Sequence, residues 1–443
     1  MSYRETVQYL YNLRKFGIKF GLENITRLAT LLGNPHESFR SVHVAGTNGK
    51  GSTSAMIASV LRAAGFRVGL FTSPHLVSFT ERIRIDGEEI TEAEVVNLAG
   101  EVKSIVGEQK DFSPTFFEVV AAMAMLYFSR KRVDVAVFET GMGGRLDATN
   151  IVHPLVSVIT SISYDHKEFL GTSLGEIAHE KAGIIKSRTP VVSSRQEPAA
   201  EAVIKDKARE ESADIFFYGR DFSSVLKGED IKGIEFDYSG TFSLNDVFVP
   251  LTGEHQMENA SVAISAAMLC LKRLARSEGE AERHIRLGLG GVRWPGRLQM
   301  IDGSPPILLD GAHNPAAALS LARSLKKTFL KKYPRIIIIL GVMSDKEIRG
   351  IMEPLLSLSS EVILASPSCS RAAPPEMLLQ IAASLGHSGM IAASSVEQAI
   401  ALAGSLAASG GDDSLILITG SFYTLGEAQE VLGHRGIFAG LRE

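Results

Sequence analysis

The stretch VHVAGTNGKGS, residues 42–52, decides the fold. An apolar, β-like run breaks at once into glycine, asparagine, lysine and serine. A glycine-rich turn between a buried strand and a helix lets consecutive backbone N–H groups point at phosphate oxygens, and the helix N-terminus adds partial positive charge. Gly46, Gly49 and Gly51 supply the backbone freedom. Lys50 is placed to set its ammonium on terminal phosphates, and Ser52 or Thr53 to offer a hydroxyl to Mg²⁺. The strict pattern G-x-x-x-x-G-K-[ST] nevertheless fails, because Gly51 stands between Lys50 and Ser52. The alternative is a strand-to-helix connection with no ligand.

Outward from this loop, short apolar runs recur: SVHVA (41–45), VGLFT (68–72), VDVAVFE (133–139), LVSVIT (155–160) and PVVSS (190–194). Helical-period segments separating the first four predict parallel strands covered on both faces. VVAAMAMLYF (119–128) is too short to cross a bilayer and reads as a buried helix. The N-terminal MSYRETVQYLYNLRKFGIKF reads as a surface helix. After KDKAREESAD, the alternation in IFFYG, IEFDYSG and DVFVPL predicts a small antiparallel addition, followed by a long helix near MENASVAISAAMLCLKRLA. The pattern stops in the Gly/Pro cluster GGVRWPGRLQM and restarts with PILLD, RIIIILG, EVILAS, GMIAAS and SLILITG. The expected architecture is α/β with two domains: residues 1–293, a P-loop-type, mostly parallel sheet, and residues 294–443, a smaller Rossmann-like unit.

Composition is ordinary for a globular chain: of 443 residues, 45% are hydrophobic and 22% charged, and the net charge of -4 is spread along the sequence. Nothing in it recruits nucleic acid or membrane, so small-molecule partners are expected. Cys270 and Cys369, the only cysteines, lack the spacing of a zinc or redox motif and fit a reducing, cytoplasmic setting.

FETGMGGRLDATN (138–150) is not a dinucleotide fingerprint, because G-x-G-x-x-G would need Gly where Leu146 stands. Open α/β sheets bind ligands outside the carboxyl ends of their strands, so Glu139 should lie beside the phosphate loop, with His166 following LVSVIT. Either residue could equally be a strand-end ion pair or a satisfied loop histidine. Lys181, in a predicted helix, would ordinarily be a solvated surface lysine.

GTNGKGS is the form of phosphate loop that resembles the Mur-ligase superfamily of ATP-dependent amide-forming enzymes. FTSPHLVSFTERIRIDG (71–87), FETGMGGRLDATN, SISYDHKEFLG (161–171), HEKAGIIK (179–186), RWPGRLQ (293–299) and LLDGAHNP (308–315) narrow it. Together they look like the folylpolyglutamate synthase family, which includes bifunctional dihydrofolate synthases. These segments run in family order from residues 16–35 to GSFYTLGE (420–427).

The resemblance implies an ATP site made of Gly46, Thr47, Asn48, Gly49, Lys50, Gly51, Ser52 and Thr53 with Asn259 on the adenine side. Arg297 is expected to reach the phosphates across the cleft, and Asp310 and His313 the nucleotide and amino-acid ends. It further implies two Mg²⁺ ions on Ser52, Glu139, His166 and Lys181, the lysine carbamylated by CO₂ so that a cation becomes a carboxylate-like ligand. Mg²⁺ prefers oxygen, so His166 is the odd member of that set. Ser73, Pro74 and His75 in SPHL should form a mobile loop over a pterin, with Thr115, Phe117 and Asp147 beside it. The implied catalytic set is Lys50, His166, Lys181, Arg297 and His313, and the expected partners of a monomeric enzyme are ATP, L-glutamate, and folate or dihydropteroate.

The chemistry follows from the need to activate a carboxylate: phosphoryl transfer from ATP makes an acyl phosphate, and an amine then displaces phosphate. A peptidoglycan-precursor ligase is disfavoured because its family usually carries a domain of about a hundred residues before the phosphate loop, whereas 45 residues precede Gly46 here. A regulatory or transport ATPase would use the loop for conformational change, but no partner-binding element is visible.

Overall fold

The computed structural model describes residues 1–13, 21–275, 278–359, 361–409 and 413–433. Its centre is β1 (Arg40–Ala45), which runs parallel to β5 (Val135–Glu139) on one side and β6 (Val156–Ile159) on the other. Side chains alternate across the pleat. Val42, Val44, Val135, Val137, Val156 and Val158 therefore share one buried face, against the helices Lys50–Ala63 and Glu254–Arg273. Ala136 and Phe138 turn to the other face and pack on the helix Phe116–Arg130, which holds the run VVAAMAMLYF and is buried through that length. Burial on both faces is what makes these strands near-continuously apolar.

The sheet is completed by β2 (Val68–Phe71), β3 (Ile83–Ile85), β4 (Glu88–Glu89), β7 (Val191–Ser193) and β8 (Ile215–Phe217), in the order β4-β3-β2-β5-β1-β6-β7-β8. The β2–β3 and β3–β4 pairings are antiparallel, and the others in this sheet are parallel. The segment IFFYG, expected in the antiparallel addition, instead forms β8 and pairs parallel with β7. The addition consists of β9 (Ser223–Asp230), β10 (Gly233–Ser239) and β11 (Ser243–Val249). A second correction concerns β5 and β6: no α-helix separates them, only a loop with the 3₁₀ turn Ala148–Ile151. At the N-terminus the helix spans Tyr3–Asn12 and buries Val7 and Leu10, while residues 14–20 of the expected helix lie outside the described residues.

After residue 298 a second sheet begins: β12 (Gln299–Ile301), β13 (Ile307–Asp310), β14 (Arg335–Leu340), β15 (Glu361–Ala365), β16 (Ile391–Ala393) and β17 (Ser414–Thr419). Its order is β12-β13-β17-β14-β15-β16, parallel except at β12. Alternation again splits β14, with Ile336, Ile338 and Leu340 in one core and Ile337 and Ile339 in the other. No helix among the described residues is long and apolar enough to cross a membrane.

Candidate active site

The register of the first sheet sets the site. Val44 lies opposite Glu139, and Ala45 opposite Ile159, so the loops leaving β1, β5 and β6 start side by side. Together with loops of the second sheet they enclose a cavity of about 740 Å³. Of the residues expected from the sequence, Gly46 through Ser52, Ser73, Pro74, Thr115, Phe117, Glu139, Asp147, His166, Lys181, Asn259, Arg297, Asp310 and His313 all line it. Thr53 and His75 do not. Ser52 therefore carries the hydroxyl that faces the cavity.

The phosphate loop turns through Gly49, whose φ of 90° no β-carbon residue adopts cheaply, into the helix Lys50–Ala63. A β-carbon at Gly49 would also lie 2.3 Å from Asn259 Oδ1, so the glycine admits the asparagine to the loop. Asn259 donates to Gln256 Oε1 at 3.0 Å, and Gln256 Nε2 lies 3.4 Å from Ser52 Oγ. Lys50 Nζ donates to the carbonyls of Gly46 (3.0 Å) and Thr47 (3.2 Å), and Lys181 Nζ to the same Gly46 carbonyl (2.7 Å). Two lysine nitrogens thus share one oxygen. Burial, and then the charge of Lys50, pull Lys181 down to about 7. Burial likewise lowers Lys50, against the raising influence of Glu139 and Asp165. Lys181 is 4% exposed, so the surface-lysine reading of the helix Leu174–Ala182 fails.

Glu139 closes β5 with its carboxylate in the cavity, accepting the Ser73 N–H at 3.1 Å. Burial pushes it up to about 7 despite nearby Lys50 and Arg297. His166 is in the left-handed region (φ 50°) at the start of the turn Lys167–Leu170, and burial takes it down to about 4. Among the described residues no three His, Cys, Asp or Glu side chains group as a metal cage. Mg²⁺ beside a nucleotide keeps waters and phosphate oxygens and needs one or two protein carboxylates. The oxygen donors Glu139 and Ser52 fit it.

The segment after Ser73 is held by local hydrogen bonds. The backbone N–H groups of Leu76, Val77 and Ser78 all donate to Glu81, at 2.8, 2.7 and 2.6 Å, and Leu76 is buried in a core of the second sheet. His75 turns away from the cavity to Tyr11 (3.1 Å) and to Arg82, which donates to its Nδ1 at 2.8 Å. Asp147 spends both carboxylate oxygens within its own loop: one accepts from the N–H groups of Gly141 and Met142, the other from the N–H and hydroxyl of Thr149. Phe117 packs on Phe71 and on Gly141, where a β-carbon would lie 2.5 Å from its ring. Thr115 caps the helix that carries Phe117.

From the second sheet, Asp310 ends β13 and accepts the N–H groups of Leu298 and Ala312, both at 3.0 Å, so it fixes the segments on which Arg297 and His313 sit. Arg297 stacks on Phe422 at 4.9 Å; burial lowers its pKa, opposed by Asp310 and Glu139. His313 packs on the same ring, and burial takes it down to about 4. Asn314 caps the helix Pro315–Ser324, its side chain accepting the Ala317 N–H.

Sequence reasoning missed what crosses the cleft. Asp165 takes Lys346 Nζ at 2.7 Å, Asn314 Nδ2 at 3.4 Å, and lies 3.7 Å from His313 Nε2. Burial opposes its ionisation, but His166, Lys346 and His313 together hold the carboxyl below the usual carboxylate range. Asn48 of the phosphate loop and Asn314 exchange amide hydrogen bonds at 3.2 and 2.9 Å. Only the position of Asp165 beside His166 in the motif hinted at this role.

Residues 44–267 match the Mur ligase middle domain, and residues 296–422 the Mur ligase glutamate ligase domain. The chain is 36% identical over 439 residues to the dihydrofolate synthase/folylpolyglutamate synthase of Bacillus subtilis (strain 168), spanning 97% of this chain and 99% of that one. It is 37% identical over 442 residues to the folylpolyglutamate synthase of Lacticaseibacillus casei, covering 98% and 99% respectively. The structure of Mycobacterium tuberculosis folylpolyglutamate synthase complexed with ADP superposes with a TM-score of 0.90 at 34% identity, over 98% of this chain and 100% of that one.

Proposed function

The chain belongs to the folylpolyglutamate synthase/dihydrofolate synthase family of Mur ligases, and from that premise we propose that it joins L-glutamate to folates, and to dihydropteroate, at the expense of ATP. The division at residues 293 and 294 is part of the same reading, supported by the change of sheet between β11 and β12.

ATP binds with its phosphates on residues 46–53. Lys50 neutralises the transferring group from the loop, and Arg297 approaches from the second domain. The acceptor lies against Phe117, Thr115, Ser73 and Pro74, in a pocket whose floor Asp147 shapes. Its carboxylate oxygen attacks the γ-phosphorus, the bond to the bridging β–γ oxygen breaks, and ADP and an acyl phosphate result. The glutamate amine, held near His313 and Asp310, attacks the acyl carbon, and the tetrahedral intermediate expels phosphate and loses a proton. Ser52, Glu139, His166 and a carbamylated Lys181 would hold two Mg²⁺ ions, which supply charge neutralisation around the phosphates. A neutral amine is what CO₂ captures, and burial of Lys181 favours that form. ATP, glutamate and the acceptor are the partners required, and a cytoplasmic monomer suffices.

The observation that carries this reading is the meeting of a phosphate loop, Lys50, Lys181 and cross-cleft Arg297 on one cavity. With ¹⁸O in the acceptor carboxyl group, one label should appear in the released phosphate for each amide formed. Unlabelled phosphate during ligation rules the acyl phosphate out.

A further inference from the structure

A second cavity, of about 350 Å³, shares no lining residue with the first. It lies between the helix Lys50–Ala63, the β2–β3 edge and the linker at residues 291–294. Ala55, Ala58, Val68 and Leu70 make an apolar floor, and the indole of Trp294 stands as a wall. The charged lining is mainly cationic: Arg62, Arg84 and Arg293 against Asp86 alone. Asp86 is engaged, its Oδ1 accepting the Val68 N–H at 2.8 Å. Arg62 donates one Nη to the Asp86 carbonyl at 2.6 Å. Arg84 reaches the Glu81 carbonyl and Glu89, with its guanidinium 5.9 Å from the Trp294 ring. Arg293 is exposed, with no hydrogen bond or ion pair to a described residue.

Each guanidinium carries five N–H donors in a planar fork that matches a carboxylate, and these bonds leave donors unused on all three. A flat apolar wall beside such donors selects a ligand with a ring and a negative end, and the volume is that of a small-ligand pocket. We infer that this cavity is a binding site for a small aromatic carboxylate, its ring on Trp294 and its carboxylates on Arg62 and Arg293. The inference stands apart from the ligation reading.

Trp294 is the only tryptophan of the chain, so its emission reports on this wall. N-benzoyl-L-glutamate, a ring with two carboxylates, is titrated into the full-length protein while Trp294 emission is followed. The expected result is a saturable change whose Kd rises at least tenfold in the Arg62→Ala/Arg293→Ala protein and stays within twofold in Phe117→Ala, at a side chain that lines the first cavity and not the second. Arg293→Ala alone, at an exposed side chain without a described partner, keeps the test valid if the double variant melts early; it should raise Kd at least threefold. The inference is overturned by an unsaturable signal, by a Kd unmoved in the arginine variants, by loss of the signal in Phe117→Ala, or by inorganic phosphate producing the same change at equal affinity.

Discussion

Replacing Lys346 by methionine removes one cation from the cleft and leaves both sheets intact. Lys346 and Asp165 lie 2.7 Å apart with side-chain exposures of 11% and 8%, one following β14 and the other β6. Stripping one partner from a buried pair costs about 3–5 kcal/mol, because the other charge is left uncompensated. Asp165 would keep the His166 N–H at 2.9 Å and the Asn314 amide at 3.4 Å, so the lower end, about 3 kcal/mol, applies. At about 1.4 kcal/mol per decade this is roughly a hundredfold. The pair joins loops of the two sheets across the cavity, so the loss should fall on their approach to one another. Glutamate-dependent ADP release should therefore show kcat/KM lowered roughly a hundredfold, with the melting temperature of the free protein little changed. Asp165→Asn should lose a similar amount, and the double variant far less than the product of the two, with a coupling of about 1–3 kcal/mol. If Lys346→Met stays within threefold of the parent, or the two losses simply multiply, the pair does not hold the cleft together.

Lys50→Ala should cut ligation with either acceptor by a factor on the order of 10³, read as labelled glutamate incorporated; turnover within tenfold of the parent removes its phosphate role. Asp147→Asn turns an amide donor toward the N–H groups of Gly141 and Met142, an unmet bond costing about 1–3 kcal/mol. The KM for folate should rise by roughly 5- to 150-fold while that for ATP moves less than threefold; an unchanged folate KM contradicts the placement. Depleting bicarbonate should lower activity and restoring it should recover activity, faster as the pH passes about 7 and the Lys181 amine becomes neutral. Full activity without CO₂, confirmed by an unmodified Lys181 in native mass spectrometry, excludes the carbamate.

The buried strands were readable because strands covered on both faces are predominantly apolar: 135–138 and 336–340 are so at every position, and 40–45 at the Val42, Val44 and Ala45 positions. Edges are harder. IFFYG has the same alternation whether it pairs parallel with β7 or antiparallel in a hairpin, so only the neighbour it meets decides. The loop residues expected at the site converge because they leave adjacent strand ends. Lys181 shows the limit of local reading: nothing in HEKAG marks it as buried, and its environment comes from the Gly46 carbonyl, 135 residues away in sequence. Asp165 and Lys346 are 181 residues apart and belong to different sheets, a separation at which charge patterning carries no information.

The departure of GTNGKGS from the strict phosphate-loop pattern has a physical cause in the same long-range packing. A β-carbon at Gly51 would lie 2.9 Å from Cζ2 and 3.0 Å from Nε1 of Trp294. The first turn of the helix must therefore be bare where the linker crosses it, and the residue after Lys50 is a glycine for the sake of a tryptophan 243 positions later rather than for the phosphates. Trp294 stands three residues before Arg297, and the Gly296 carbonyl accepts the Gly311 N–H at 3.0 Å, beside Asp310. Loop, linker and second-domain residues form one mechanical chain. Gly51 thus lets the linker that carries Trp294 and, three residues on, Arg297 lie directly against the first turn of the phosphate-loop helix.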